Sequence, residues 1–434
     1  MKKILIMMLA FLMLLTAVAE SASLTDGIAG KWKAKDTEIV QDNTINIKKE
    51  LISYNASSTS VYAPAFSYTY TVTPAKPENN DDGYTVTDSA NDHNANTAVV
   101  APVNAGITTG LKVNGGTAGT EESAVGTIAF TNTTALTTST SGGVNEYNIT
   151  LDFSGVAFEQ PGVYRYKIAE TLADSATYAG IATKDGGSNE RYLDVYVDGN
   201  LKIYGYVCMA SNGDVTTSTT KTNGFVGTSN GQDEYYTYDL VLSKDVENDS
   251  YGEGHAFPFT VFFKNTESYT TTYTITETAA SGSTGITPAG ASAPTWNGVA
   301  KVKEGATITY TGIPCGVDVD VYETNDMTGV TYAVVTKLNG TAVTHNDDGS
   351  VSWGDAPQSA VEQTDKKAYE STKTTVDTTI VTAVSAQQTL EIVNTLLLIS
   401  PTGVVVRVAP YVIILAAGIA LLLIGRRRRS AAKD

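Results

Sequence analysis

A lysine, a glutamate and an asparagine sit on apolar faces of strand-like segments in this sequence. The segment Val163–Leu172 reads VYRYKIAETL, and a period of two puts Tyr164, Tyr166, Ile168 and Glu170 on one face. In Ile45–Leu51 the same period aligns Ile45, Ile47, Lys49 and Leu51, with Lys48 facing the other way. Later in the chain it aligns Leu240, Leu242, Lys244 and Val246, then Val317, Val319, Val321 and Glu323, then Leu390, Ile392, Asn394 and Leu396. A single such site reads most plainly as a buried ion pair, which costs several kcal/mol per ion in desolvation and is weak evidence for stability. Two lysine–glutamate pairs at matching places, with an asparagine closing the second, favour bond-forming chemistry.

That chemistry is an intramolecular isopeptide bond. Burial lowers a lysine's pKa and presents a neutral amine nucleophile. Burial also keeps a glutamate protonated, so it hydrogen-bonds the carboxamide, polarises its carbon and shuttles protons as ammonia leaves. Packed strands holding amine against carbonyl supply the effective molarity, and no cofactor or metal is called for. The product is a neutral buried amide with no counter-ion to satisfy.

The elements that must position these groups are strands. Short alternating runs separated by turn residues recur: FSYTYTV (66–72), YNITLDF (147–153), RYLDVYVDG (191–199), FPFTVFF (257–263) and ATITYTG (306–312). This is the pattern of an all-β sandwich. The chain also repeats itself. INIKKEL then FSYTYTV, and LVLSKDV then FPFTVFF, come in the same order, followed by VYRYKIAET and VDVDVYETN. The fold expected is all-β, two tandem Ig-like modules at 37–233 and 234–396. A polar stretch at 75–143, in which ITTGLKV and GTIAF still alternate, reads as an insertion of loops and short strands in the first module.

The flanks read as targeting segments. Lys2 and Lys3, an apolar run and Ala17, Val18 and Ala19 make residues 1–19 a secretory signal peptide, followed by an N-terminal segment at 20–36. Residues 404–425 form an apolar run of about the ~20 residues a membrane helix needs. Arg426 to Arg429 follow in a basic tail, 426–434, that stays cytoplasmic. The formal net charge of −17 argues against a nucleic-acid partner. Cys208 and Cys315 fall in different modules, so no disulfide framework is expected. His93, His255 and His345 show no metal-site spacing.

The segments INIKKELI, FSYTYTV and PGVYRYKIAET, and LVLSKDV, FPFTVFF, VDVYET and LEIVN, resemble the streptococcal T-antigen-type major pilins with their pilin isopeptide-linkage, CnaB-type domains. The resemblance covers nearly the whole chain after the signal peptide. It implies that lysine and asparagine lie on first and last strands and that the glutamate is catalytic. Carried over, it gives Lys244, Glu323 and Asn394 in the second module and Lys49 and Glu170 in the first. The first module's acceptor departs from the pattern, because Gly227 stands where an asparagine is expected. Asn223, on the face of Phe225, is the first choice and Asn230 the second.

Just before the membrane run stands ISPTG: Ile399, Ser400, Pro401, Thr402 and Gly403. It resembles an LPxTG-type sorting motif, which implies that a sortase transpeptidase cuts after Thr402. The acyl group then passes to peptidoglycan precursor or to a lysine of the next pilin subunit. Lys221 is nearest the place the resemblance implies for that lysine, with Lys184 and Lys202 as alternatives. The leading expectation is a cell-wall-anchored Gram-positive surface protein of pilus type, not a turnover enzyme. The alternative is a non-polymerising adhesin that binds a host or polysaccharide ligand through the first-module insertion.

Overall fold

The computed structural model describes residues 38–39, 43–57, 60–76, 84–87, 98–101, 103–172, 180–183, 189–212, 222–226, 233–249, 252–265, 272–286, 292–293, 295–315, 317–323, 332–345, 351–353, 366–371, 387–396 and 415. The expected signal peptide, sorting motif Ile399–Gly403 and basic tail lie outside these residues. So do Lys184, Lys221, Asn230 and, apart from Leu415, the apolar run 404–425. Among the described residues no helix is long and apolar enough to cross a membrane.

The fold is all-β, built from several sheets. In the N-terminal half the main strands are β1 (Thr44–Tyr54), β2 (Phe66–Pro74), β3 (Ala124–Phe130), β4 (Gly143–Asp152), β5 (Gly162–Leu172), β6 (Glu190–Val197), β7 (Ile203–Met209) and β8 (Gly224–Phe225). One sheet runs β7-β6-β5-β2-β3. Its edge strand β3 comes from the polar insertion, whose GTIAF segment pairs along β2 from Phe66 to Tyr70. Opposite it, β4 lies antiparallel to β1 and β8 runs parallel to β1. The alternation of FSYTYTV buries Phe66, Tyr68, Tyr70 and Val72 between the two sheets. They meet Ile45, Ile47 and Leu51 of β1, Ile149 and Leu151 of β4, and Tyr166 and Ile168 of β5. At β8 the backbone passes so close to β1 that a Cβ on Gly224 would stand 2.3 Å from the Lys48 carbonyl oxygen, at φ 133°. Only glycine fits there.

The C-terminal half repeats the plan with β10 (Ala256–Asn265), β11 (Thr295–Lys303), β12 (Thr307–Pro314), β13 (Val317–Glu323), β14 (Tyr332–Leu338), β15 (Lys366–Ser371) and β16 (Gln388–Leu396). One sheet runs β11-β10-β13-β15. A separate core of Phe257, Phe259, Val261, Val319, Val321, Leu242 and Ile392 fills this half.

The halves share one strand, β9 (Asp233–Glu247). Asp233–Tyr236 pair in parallel with Leu51–Tyr54 of β1. From Thr237 the strand turns to β12, and from Leu240 it runs parallel to β16. The boundary expected between residues 233 and 234 therefore falls at the start of a continuous strand. The changeover of partners is buried. Asp239 accepts from Asn55 Nδ2 at 2.9 Å and from the Gly312 amide at 3.0 Å, and Ser57 Oγ donates to its other oxygen at 2.6 Å. Tyr54 and Tyr236 stack across the same junction, ring centroids 4.8 Å apart. Cys208 and Cys315 are buried in separate cores and form no disulfide.

Candidate cross-linking sites

The first site lies where β1, β5 and the start of β9 converge. Lys49 is completely buried, and its Nζ donates to Glu170 Oε1 at 2.7 Å and to Asp233 Oδ2 at 2.8 Å. Glu170 is brought there by β5, in which it stands opposite Tyr70 of β2. The Tyr70 hydroxyl donates to Glu170 Oε2 at 2.7 Å. Lys49 Nζ also lies 4.2 Å from the centre of the Tyr68 ring. The Tyr68 hydroxyl approaches the Asp233 carboxylate without completing a well-aligned hydrogen bond, and burial together with that charge raises its pKa far above the ordinary value. Burial pushes Glu170 up to about 7, against the pull of the Lys49 charge and with a push from Asp233.

The acceptor expected at Asn223 is not at this site. Asn223 is exposed, and its backbone carbonyl accepts the Lys48 amide at 2.7 Å at the entry to β8. Its side chain stays outside because β8 begins only at Gly224, so the alternation that turns Phe225 inward does not reach back to Asn223. Asp233 stands at the lysine instead. The expectation sought a carboxamide and passed over a carboxylate. The legible signal was period two along DEYYTYDL, which puts Asp233 on the face of buried Tyr235 and Thr237. Lys48 points outward, as its alternation requires, and pairs with Glu146 at 3.0 Å. Lys202 is exposed at the turn after β6.

The second site has the same layout. Lys244 on β9, Glu323 on β13 and Asn394 on β16 are all buried. Asn394 Nδ2 donates to Glu323 Oε1 at 2.6 Å, while Asn394 Oδ1 has no hydrogen-bond partner. Lys244 Nζ donates to the carbonyls of Asp245 at 2.9 Å and Ile392 at 3.0 Å, and lies 4.7 Å from the Phe257 ring centre. Burial lowers its pKa to about 8, although the nearby Glu323 charge pulls the other way.

The two sites correspond strand for strand. Glu170 stands opposite Tyr70, and Glu323 stands opposite Phe259. The rings against the lysines, Tyr68 and Phe257, each come two residues earlier on the same strand. The second site differs in having phenylalanines where the first has tyrosines and a carboxamide where it has a carboxylate. Among the described residues no group of three or more His, Cys, Asp and Glu side chains is placed to hold a metal ion.

Residues 238–353 match the family described as Domain of unknown function (DUF7601). No curated protein matches the chain. Among solved structures, the major pilin of Streptococcus pyogenes is similar at 18% identity, over 82% of this chain and 99% of that one, with a TM-score of 0.38. The T-13 major pilin protein of the same species is similar at 15% identity, over 82% and 100%, with a TM-score of 0.36. A bacterial adhesin from Mobiluncus mulieris is similar at 11% identity, over 82% and 98%, with a TM-score of 0.23.

Proposed function

We propose that this chain is a structural surface protein of pilus type, anchored to the cell wall and hardened by two self-formed isopeptide bonds, Lys49–Asp233 and Lys244–Asn394. The observation that carries the reading is the repetition of one buried lysine–glutamate–acceptor cluster at equivalent strand positions in both halves. A buried ion pair serving stability alone has no need to recur with its acceptor in register.

In the first half, Lys49 attacks Cγ of Asp233. The C–N bond forms, a C–O bond breaks and water leaves. In the second half, Lys244 attacks Cγ of Asn394 and ammonia leaves. The lowered pKa of Lys244 makes its neutral amine accessible near neutral pH. A half-turn of the Asn394 carboxamide exchanges its oxygen and nitrogen. In that orientation a protonated Glu323 donates to the carbonyl oxygen across the same contact. That bond polarises the carbonyl toward attack. Each site reacts once, so the chain is its own substrate.

Both bonds join the first strand of a half to its last. Tension on the ends then loads covalent bonds, and opening either sandwich by proteolysis or heat becomes costly. Sortase, other copies of the subunit and peptidoglycan are the partners this reading assigns, through Thr402 of the ISPTG segment. The test is electrophoresis of boiled cell-wall extracts carrying the native protein and a Thr402→Ala variant. A ladder of SDS-resistant species, lost in the variant, supports a polymerised subunit. A single wall-bound band points to the adhesin alternative, and a membrane-extractable monomer overturns both.

A further inference from the structure

We propose that Tyr70 is a positioning residue of the first site, holding Glu170 so that its proton-carrying oxygen is the one facing Lys49 and Asp233. This rests on the reading that Lys49 and Asp233 become joined.

The two glutamates are oriented by different means. At the second site the acceptor does the work, because the Asn394 carboxamide engages Glu323 Oε1 directly. An aspartate acceptor cannot do the same. Asp233 is a second carboxylate, and its charge opposes that of Glu170. Phe259 stands opposite Glu323 and offers no donor, whereas Tyr70 stands opposite Glu170 and donates to Oε2 at 2.7 Å. Within one chain, the carboxylate acceptor thus goes with a phenol and the carboxamide acceptor with a plain ring.

The consequence concerns which oxygen takes the proton. Oε2 already accepts the phenolic hydrogen, so a proton leaving the Lys49 ammonium passes along the 2.7 Å bond to Oε1. Of the three ammonium protons, one stays on the amide nitrogen. The other two leave with one Asp233 oxygen as water, each carried by Oε1 in turn. No oxidant or outside base enters. Without the Tyr70 hydroxyl, Oε2 is open and competes with Oε1 for the proton, which then sits away from the reacting atoms.

The groups facing Glu170 are Lys49 of β1, Tyr68 and Tyr70 of β2, Asp233 of β9 and Arg191 of β6. The Tyr70 bond favours the ionised form of Glu170. Its loss therefore raises Glu170, and because Oε1 must be ionised to take the proton from Lys49, the acid limb of the first site's rate moves to higher pH.

The full chain after the signal peptide, recovered unfolded, is diluted into buffers across pH 5 to about 9, quenched and digested. Mass analysis reads the joined Lys49–Asp233 peptides, with Lys244–Asn394 in the same digest as an internal control. In Tyr70→Phe, which keeps the ring against Phe225, the first bond should form at least about tenfold more slowly. Its acid limb should move up in pH, and the second bond should keep its wild-type rate. An unchanged rate and limb overturn the proposal. So does a lower yield at every pH with the limb in place, because that is a folding defect. If the wild-type chain joins no Lys49–Asp233 peptides, the reading beneath the proposal fails instead.

Discussion

Asp233 and Asn394 occupy the same register position in the two halves of the chain. Asp233 stands opposite Leu51, and Asn394 opposite Val246, each the residue two beyond the buried lysine on a parallel neighbouring strand. Parallel pairing at this offset turns both residues to the buried face that also holds the lysine. The two residues differ in chemistry and agree in place, so place is what the fold fixes.

Removing either cross-link should cost stability on a scale set by chain entropy. Each bond closes a loop on the order of 150 to 185 residues, worth about 5 kcal/mol by the loop-closure relation used for disulfides. Lys49→Ala and Lys244→Ala should each lower the unfolding free energy by roughly that amount in denaturant titrations. The single variants should also become sensitive to protease in one half while the other half stays resistant.

The acceptor of the first half is open to a direct comparison. Asp233→Ala should abolish the joined Lys49 peptide, whereas Asn223→Ala should leave it at wild-type yield, since Asn223 is exposed and uses its backbone there. Peptide mass analysis of both variants checks this, and the reverse pattern restores the asparagine.

A chain that cannot close the second bond should be pH-sensitive in a defined direction. In Asn394→Ala, Lys244 stays buried with its pKa lowered to about 8 from an ordinary 10.5. The unfolded chain then holds more protons than the native one between these values, so stability rises with pH across that window. Below about 8 the full penalty for burying the charge applies. Comparing the melting of Asn394→Ala with that of Lys244→Met in the same background, from pH 7 to about 10, isolates the effect. A gap that narrows as pH rises agrees with it; a constant gap does not.

The shared strand should make the two halves one stiff body. Asp239→Ala strips partners from Asn55, Ser57 and the Gly312 amide at a buried junction. Ser57 Oγ keeps Asn55 Oδ1 and Asn55 Nδ2 keeps Thr237, so the cost falls on the Gly312 amide and one Asn55 N–H, about 1–3 kcal/mol each. The loss should appear as new protease cleavage near residues 236–240 and a broader distribution of shapes by small-angle scattering. Both cross-links should still form.

Much of this was legible in the sequence. Period two alone placed Lys49, Glu170, Lys244, Glu323 and Asn394 on inward faces, because a strand with one buried face writes its burial into alternation. The repeat of segments marked the two halves for the same reason. Asp233 was harder to see. It opens its strand, so no apolar neighbour precedes it to reveal the face, and it reaches Lys49 only through the parallel pairing with β1. Tyr68 and Tyr70 read as ordinary core residues of FSYTYTV, and nothing local shows that the Tyr70 hydroxyl bonds Glu170 of β5 or that the Tyr68 ring lies against Lys49. The continuity of β9 across both halves was hidden too, since DEYYTYDLVLSKDVE has no Gly or Pro to mark either a junction or its absence.

The central claim is tested most directly by the mass of the mature chain and of its Lys49 and Lys244 peptides. The prediction is a chain lighter by one water and one ammonia. Lys49 should be joined to the peptide holding Asp233, and Lys244 to the peptide holding Asn394. A chain of unmodified mass that yields all four peptides separately would contradict the account.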